Sequence, residues 1–528
     1  MLADAHRLIR TPSEAAAVLL NASALIQMTD SKVQPLFKPA LILMSGRLIG
    51  FIVAFAIPLV LARVFSQTEF GTYKQLFLVF ATLFGIAQAG MAESLYYFLP
   101  FEKQRPGTYV ANALLILLGC GVLVGVGLWF AREPVSTLLN NAAVAKYLPL
   151  LALYLALMLL AVVMEIVMTV RREHVLASAS YAATDIARAA LTVAPILWIA
   201  DLYWLMLGTL LFALLRCAIA LLYIVKAYGA HLRPSASILR LQLVYAVPFG
   251  VAGLIEIVQV NYHMYAVSYA FDPAIFAIYA VGCLQVPLVD FMMTSTSNVM
   301  MVNMREKMRE GDGKALVAIW LESVRKLSFV FFPLVAMLLL TAEDLIVLLF
   351  TDAYRASVPV FMLWSVSMLF VALLTDGVLR VFADTKFMII QNIVRLSIIV
   401  ISIQWFLQRF DLLGAILVTL LATAVTKAFA LWRIKHLLQV SITDVLPWKA
   451  LAHALLLAAL AIVPALIPQM LDAPIIIRLG LSGAIYTLSY YVMLLSFGPL
   501  QAEEKTLLKN LTRNALLRLH RGGEKATA

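Results

Sequence analysis

The sequence carries charged side chains inside long apolar stretches, where a charge is costly unless it has a function or a partner. Arg47, Glu93, Asp185, Arg188 and Arg395 all lie in such stretches. Arginines in a cleft would suit an anionic group such as a pyrophosphate, because a guanidinium binds phosphate oxygens through parallel hydrogen bonds. Carboxylates at the same depth would suit a coupling cation or a proton. These residues predict a polar path through an apolar protein.

The apolar stretch near 241–268 is the most informative for such a path. Glu256, Gln259 and His263 lie at positions i, i+3 and i+7, within an arc of about 60° on a helix. The next stretch carries a second polar group on one face, with Asn298 beside it: Asp290, Thr294 and Ser297. We expect Glu256, Asp290 and also Asp185 to be candidates for ion coupling.

Some of the charges have a simpler explanation as structural pairs. Asp185 precedes Arg188 by three residues, and Asp376 precedes Arg380 by four. Residues at these spacings face each other on a helix, so each pair could serve only to neutralise itself.

Other polar residues in the apolar stretches either have a structural explanation or need a partner from elsewhere. Arg216 and Lys427 are expected to snorkel to a membrane interface. His263 could be a hydrogen-bonded histidine of a helix bundle rather than a proton carrier. Arg47 and Glu256 have no opposite charge within one turn of their own helices, so their partners must come from another helix, from water or from a ligand.

The elements that carry these residues must be membrane-spanning helices. Of the 528 residues 63% are hydrophobic and 13% are charged, too few polar residues to coat a soluble protein of this size. The formal net charge of +11 reflects Lys and Arg between the apolar runs, so it predicts membrane orientation rather than nucleic-acid binding. Cys120, Cys217 and Cys283 lie far apart inside apolar runs and predict neither a disulfide frame nor a zinc site.

Apolar runs long enough to cross a bilayer predict an all-α polytopic membrane protein with about 14 transmembrane helices. Lys and Arg are concentrated in alternate loops and in both tails, which predicts that both termini are cytoplasmic. The predicted segments are a tail at 1–39, six-helix lobes at 40–225 and 241–434 with a cytoplasmic linker at 226–240, helices 13 and 14 at 449–497, and a basic amphipathic tail at 498–528.

Both tails are predicted to approach the membrane surface. Residues 12–28 read as a short amphipathic helix, with a signal peptide as the alternative. The C-terminal tail could lie on anionic lipids of the cytoplasmic leaflet or could be a solvated basic tail.

The chain repeats itself with an offset of about 206–210 residues. Three matches follow one another in order: Phe70–Tyr73 with Phe276–Tyr279, Pro149 and Tyr154 with Pro359 and Trp364, and Asp185–Arg188 with Asn392–Arg395. A repeat of six helices keeps its orientation, so the two lobes are predicted to be parallel copies around a cleft suited to alternating access.

Several chemistries are not indicated by the sequence. It has no Walker A lysine motif and no HExxH or paired CxxC motif, so neither ATP hydrolysis nor metalloprotease chemistry is predicted. The predicted external loops are short, which argues against a glycosyltransferase or ligase. We therefore expect a protein that is not an enzyme and that needs no cofactor.

The order of several short motifs resembles bacterial polysaccharide (O-antigen-type) flippases of the multidrug/oligosaccharidyl-lipid/polysaccharide (MOP) exporter superfamily. The resemblance covers most of residues 40–440 and is carried by Ser45–Leu48, Leu61–Arg63, Glu69–Tyr73, Gly90, Glu93–Pro100, Tyr245–Phe249 and Ile278–Val281. It implies two six-helix lobes and a polar, often cationic central cavity. Arg47 matches a first-helix arginine that lines the cavity in the lipid II flippase branch, and Arg63 matches a second arginine just after that helix.

The resemblance implies a flippase that moves undecaprenyl-pyrophosphate-linked oligosaccharide from the cytoplasmic to the outer leaflet of the bacterial inner membrane during cell-surface polysaccharide biosynthesis. Polysaccharide polymerase or export proteins are then conceivable partners. Arg47, Arg63, Arg188 and Arg395 would hold the pyrophosphate, and Glu256, Asp290 and His263 would shape the sugar path or couple ions. The alternatives are a cation-coupled multidrug antiporter of the same superfamily, a membrane glycan polymerase or ligase, and a non-transporting member of an export complex.

Overall fold

The computed structural model describes residues 37–500 and 504–506, with the side chains of residues 37–49, 230, 249, 252, 287 and 288 left outside the description. The predicted helix at 12–28 and most of the two tails lie outside the described residues. All regular structure in the described part is helical. Its first half contains α1 (Phe37–Val64), α2 (Gln67–Gln88), α3 (Met91–Phe98), α4 (Pro106–Phe130), α5 (Arg132–Leu138), α6 (Ala142–Ala161), α7 (Val163–Val170), α8 (His174–Trp198) and α9 (Leu202–Tyr228).

The second half begins with the long helix α10, which has a proline at position 248. Its helices are α10 (Ala236–Ala270), α11 (Pro273–Gly282), α12 (Pro287–Glu310), α13 (Gly313–Leu340), α14 (Ala342–Phe350), α15 (Val358–Val366), α16 (Thr375–Val381), α17 (Thr385–Leu437), α18 (Trp448–Ala465) and α19 (Ile475–Phe497). Short 3₁₀ segments connect some of them, at Gly229–His231, Asp352–Ser357, Ser367–Ala372 and Ile467–Met470.

Nine helices among the described residues are long and apolar enough to cross a membrane, and the bent α10 makes a tenth. The chain is therefore a multi-pass α-helical membrane protein, as predicted. The count of fourteen spans and the division into two lobes stay predictions.

The element α17 is one continuous stretch of 53 residues that contains a sharp reversal. Asp411 has a φ of 47° and a ψ of −135°, which no α-helix accommodates. Three residues later, Gly414 packs against the backbone of Phe406, leaving no room for a Cβ atom. Residues from both sides of this break, among them Ile399, Ile403, Ala415 and Ala422, belong to one buried apolar cluster.

The two halves of the chain are joined by buried polar contacts at one end of the bundle. The amide of Gln75 in α2 donates to Leu139 O and to Ser268 Oγ of α10, both at 2.8 Å. Nearby, Gly71 packs directly on the backbone of Pro273 at the start of α11. We call this the Arg63 end, because α1 finishes there. Since α2 and α3 run away from it, the loop after α3 lies at the opposite end.

Candidate functional site

A cavity of about 450 Å³ lies entirely within the second half of the chain. We call it the C-terminal cavity. It is enclosed by α12, by the irregular segment from α15 to α16, and by both parts of α17. Its wall contains Arg380, Arg395, Lys427 and the single carboxylate of Asp376, together with the hydroxyl and amide groups of Thr294, Ser297, Asn298, Ser367, Thr419 and Thr423.

Three cationic side chains and one carboxylate leave this cavity with an excess of positive charge. None of the three cations lies within 4.0 Å of a carboxylate in the described part of the chain. The predicted pair of Asp376 with Arg380 is therefore wrong. Asp376 accepts instead from the hydroxyl of Thr375 at 3.3 Å.

Arg395 is held in the cavity wall by α10. With its amide turned so that the oxygen faces the guanidinium, Gln259 accepts from Nε of Arg395 at 3.2 Å and from Nη1 at 2.9 Å. Gln259 is buried, so few other groups compete for this oxygen. The two residues are far apart in the chain, so no local sequence pattern predicts their contact.

Lys427 reaches the cavity from the second part of α17. Its ammonium donates to Leu373 O at 3.2 Å and to Thr375 Oγ1 at 2.8 Å. The helical path is interrupted between Ala372 and Thr375, and the Leu373 carbonyl accepts from the backbone N–H of Thr375 as well as from Lys427. The expectation that Lys427 snorkels to an interface is wrong, because the break offers its ammonium oxygen ligands inside the bundle.

Close packing brings α16, which carries Asp376, next to α12. Gly377 in α16 lies against the side chains of Met300 and Ser297, and a Cβ atom there would come within 3.0 Å of both. This approach places Asp376 and Arg380 opposite Asn298, which is exposed to the cavity.

Two arginines of the first half, Arg188 and Arg216, are paired with carboxylates, unlike the three cations of the C-terminal cavity. Arg188 donates to Asp185 at 2.6 Å, which confirms that predicted pair. Arg216 donates to Glu165 at 2.9 Å, and the two side chains are only 12% and 3% exposed. Ser180 also donates to Glu165. The prediction that Arg216 snorkels is wrong, because a buried carboxylate on another helix satisfies its charge.

Arg47 lies in the helical backbone of α1, but its side chain is outside the description. One turn later, Gly50 packs against the carboxylate of Asp185. The backbone of position 47 is therefore near the Asp185–Arg188 pair, in the first half of the chain.

The remaining predicted residues are dispersed. Glu93, Glu256 and Asp290 are exposed and make no hydrogen bond or ion pair within the described part. His263 is buried, and its Nδ1 lies 2.7 Å from the hydroxyl of Tyr279. The structure brings together Gln259, Asn298 and Arg395 of the predicted set, and it leaves the three carboxylates outside the C-terminal cavity wall.

Arg63 lies in the last turn of α1 and does not line the C-terminal cavity. Its guanidinium donates to the carbonyls of Leu348 and Leu349 in α14, as well as to Leu59 in its own helix. This side chain therefore fastens the end of α1 to the second half of the chain.

Lys74, which was not among the predicted site residues, lines a second cavity of about 380 Å³ between the two halves. The other lining side chains are mostly apolar and aromatic, among them Phe51, Phe55 and Phe77. The ammonium lies 5.4 Å from the ring of Phe70, a cation–π contact. A lysine inside an apolar run was the available signal, the same one that identified Arg47.

A family model described as polysaccharide biosynthesis protein matches residues 60–359, more than half of the chain. The chain belongs to this family. No curated protein matches it in a sequence search.

Solved structures are similar to this polysaccharide biosynthesis protein over more of the chain than residues 60–359. The lipid II flippase MurJ in an inward closed conformation covers 87% of the chain and 99% of its own length, with 12% identity and a TM-score of 0.67. An inward-facing multidrug resistance MATE transporter covers 76% of the chain and 96% of itself, with 13% identity and a TM-score of 0.56. A MOP superfamily transporter from Pyrococcus furiosus covers 77% and 94%, with 14% identity and a TM-score of 0.52.

At these identities the structural likeness shows the fold alone. The family member therefore has the fold of MOP superfamily transporters, and the predicted resemblance is confirmed. The matched proteins are named as a flippase and as transporters, not as enzymes.

Proposed function

We propose that the protein is a flippase for a lipid-linked oligosaccharide and that the C-terminal cavity binds the pyrophosphate of its substrate. The observation that carries this proposal is the excess of cations in that cavity, in a protein of polysaccharide biosynthesis. Arg380, Arg395 and Lys427 form no ion pair within 4.0 Å in the described part of the chain, and the one carboxylate of the wall, Asp376, offsets only part of their charge. A pyrophosphate carries negative charge on both phosphorus groups and so matches this excess.

The wall chemistry also suits the sugar next to the pyrophosphate. Thr294, Ser297, Asn298 and Thr423 present hydroxyl and amide groups to the same space. Such groups exchange hydrogen bonds with sugar hydroxyls, while Trp364 offers a flat apolar surface. The proposed substrate is an undecaprenyl-pyrophosphate-linked oligosaccharide.

The proposed architecture has fourteen spans, arranged as two parallel six-helix lobes and two further helices. The count is fourteen if α17 is two spans divided at Asp411, if α11 and α12 together form one span, and if the helical segments within 342–381 form another. In this scheme α18 and α19 are the additional pair. Both termini are cytoplasmic, the protein lies in the bacterial inner membrane, and the Arg63 end faces outward.

The proposed path leads from the cytoplasmic leaflet to the outer leaflet by alternating access. Arg47 and Arg188 would guide the pyrophosphate along the first lobe. Glu93, Glu256 and Asp290 would line the path or bind a coupling ion, since each is exposed and unpaired in the described part. Asp185 is a weaker coupling candidate, because Arg188 already holds its carboxylate.

A cation-coupled drug antiporter is the main alternative function. A cationic drug would be repelled by the charges of the C-terminal cavity, so the observed electrostatics favours an anionic substrate. The flippase and transporters named above give no support to a glycan polymerase or ligase. The cavity therefore gives lipid-linked glycan transport the stronger support.

The test is export of the glycan in a strain that lacks the native gene. Arg395→Ala should abolish complementation at equal expression, and Arg395→Lys should restore part of it. Arg409→Ala serves as the control, because Arg409 is an exposed arginine of the same element that does not line the cavity. Full complementation by Arg395→Ala would contradict the proposed pyrophosphate site, and drug resistance without glycan export would favour the antiporter.

A further inference from the structure

A third cavity, of about 490 Å³, lies between two loops at the end of the bundle opposite the Arg63 end. We call it the loop cavity. It is lined by the loop that precedes α4 and by the loop that precedes α10: Arg105, Thr108, His231, Arg233, Pro234 and Ser235. It shares no residue with either of the other two cavities described above.

A buried polar scaffold fixes the two loops against each other. Asn112 in α4 accepts from the backbone N–H of Ser235 at 3.0 Å and donates to the carbonyl of the same residue at 3.3 Å. Its amide also donates to Gln242 at 3.0 Å, and Gln242 donates to Tyr109 O at 3.2 Å. Both amide side chains are fully buried, so the loop geometry is specified from the interior.

The contact between the loops is also close at the backbone. Gly107 lies within 3.0 Å, measured from an ideal Cβ position, of the carbonyl group of His231. A larger side chain at position 107 would push the loops apart. The cavity is thus a built feature rather than a chance gap between two surface loops.

Its charge is strongly positive. Arg105 and Arg233 are exposed, and neither guanidinium has an ion-pair partner in the described part of the chain; His231 adds a third nitrogen donor. The nearest carboxylate in the sequence is Glu102, and its Oε1 already accepts from the backbone N–H groups of Gln104 and Arg105. Two guanidinium groups with free donors favour an anion with several oxygens, such as a phosphate.

The position of the loop cavity indicates where that phosphate comes from. The long apolar helices α4 and α10 begin directly beside it, so it lies at the level of the lipid headgroups. Exposed aromatic side chains lie on the same loop and on the helix before it: Phe101 is 82% exposed, and Tyr97 stacks on Tyr245 with ring centroids 4.4 Å apart. Aromatic residues of this kind are typical of the membrane–water interface.

We infer that the loop cavity binds the phosphate of a membrane lipid through Arg105 and Arg233. Two classes of membrane lipid carry a negatively charged phosphate of this kind, anionic phospholipids and polyprenyl pyrophosphates. The first would anchor or regulate the protein, and the second would load the substrate. Only the second rests on the proposed function, and lipid binding can be measured without transport.

The test uses the full-length protein, purified in detergent, with lipid adducts counted by native mass spectrometry. One arm adds phosphatidylglycerol against phosphatidylcholine, and the other adds undecaprenyl pyrophosphate. The double variant Arg105→Ala/Arg233→Ala should bind the preferred lipid about tenfold or more weakly, because it loses both guanidinium groups that donate to the phosphate. Arg105→Lys/Arg233→Lys should retain part of the affinity.

The control is Arg309→Ala/Lys314→Ala, which removes the same charge from exposed residues outside the loop cavity. Weaker binding of phosphatidylglycerol alone supports an anchoring lipid, and weaker binding of undecaprenyl pyrophosphate supports a loading site. Equal binding by the test and control variants in both arms overturns the inference. A transport defect with normal binding would likewise overturn it, while leaving the proposed function intact.

Discussion

The ammonium of Lys427 donates to the hydroxyl of Thr375 across 2.8 Å, at the point where the helical path between Val358 and Val381 is interrupted. The same ammonium donates to the Leu373 carbonyl. A broken helix inside a membrane protein leaves backbone groups that need partners, because lipid offers none. Lys427 therefore has two tasks: it supports the break and it contributes charge to the C-terminal cavity.

Comparison of Lys427→Met with Lys427→Arg tests both tasks. The methionine keeps most of the volume but leaves the Leu373 carbonyl without its ammonium donor, so we expect a lower midpoint of thermal unfolding and loss of glycan transport. The arginine restores the charge, so transport should be partly restored. Thermal unfolding in detergent and transport in proteoliposomes are the measurements. Normal transport by the methionine variant would show that the ammonium does not serve the substrate.

Gln259→Leu tests whether the orientation of Arg395 matters as well as its charge. The leucine removes the oxygen that accepts from Nε and Nη1, which costs about 1.5–3 kcal/mol of hydrogen bonding to a charged group. We expect the KM of transport to rise more than the kcat falls. Gln259→Glu should hold Arg395 firmly but cancel its charge, so transport should fall while thermal stability is kept.

The matched control for this prediction is Gln391→Leu. Gln391 is another buried amide, one turn before Arg395 in α17, and its Oε1 has no hydrogen-bond partner. Transport by this variant should resemble that of the wild type. If both leucine variants have the same KM as the wild type, Gln259 does not position Arg395.

The class of the protein, a helical protein with many membrane spans, was predictable because it follows from the length of the apolar runs. Runs of apolar residues predicted a polytopic helical protein, and short motifs such as Glu69–Tyr73 and Tyr245–Phe249 predicted the superfamily. Two apolar runs, 387–408 and 411–434, flank the position of the backbone break at Asp411. The Ser66–Glu69 capping box gives α2 a clear start, with reciprocal side-chain and backbone hydrogen bonds.

The candidate site was predictable only in part, because pairing depends on distances through space. Asp185 and Arg188 are neighbours on one helix, so their ion pair followed from spacing. Arg216 and Glu165 are on different helices, and no local pattern joins them. Lys427 was misjudged for the same reason, since its oxygen partners come from a helix break that the sequence does not mark.

The buried pair of Glu165 and Arg216 should be structural. Removing one partner leaves a buried charge uncompensated, so Glu165→Gln should destabilise the protein by about 3–5 kcal/mol. The double variant Glu165→Leu/Arg216→Met should recover much of this loss, because an apolar pair needs no charge partner. Thermal unfolding in detergent measures both. A single variant as stable as the wild type would mean that the pair contributes nothing to folding.

The contact of Arg63 with the carbonyls of Leu348 and Leu349 should restrain opening at the Arg63 end. Alternating access requires the two halves to part there. This would expose the buried Cys283, which lines the second cavity beside Lys74. Arg63→Ala removes the hydrogen bonds that hold the halves together and should raise the population of the open state about tenfold or more. The rate of Cys283 labelling by a polar maleimide, in a background with Cys120 and Cys217 replaced by alanine, reports this population.

Arg355→Ala is the control, because Arg355 is exposed at the same end and its ion pairs in the described part of the chain are with Glu343 and Asp352 of its own half. Its Cys283 labelling rate should equal that of the parent protein. If Arg63→Ala also leaves the rate unchanged, the guanidinium does not hold the halves together, and the closure must depend on the apolar contact of Gly71 with Pro273 and on the buried amide of Gln75. If the rate rises, the second arginine of the family resemblance is a latch between the halves rather than a ligand of the pyrophosphate.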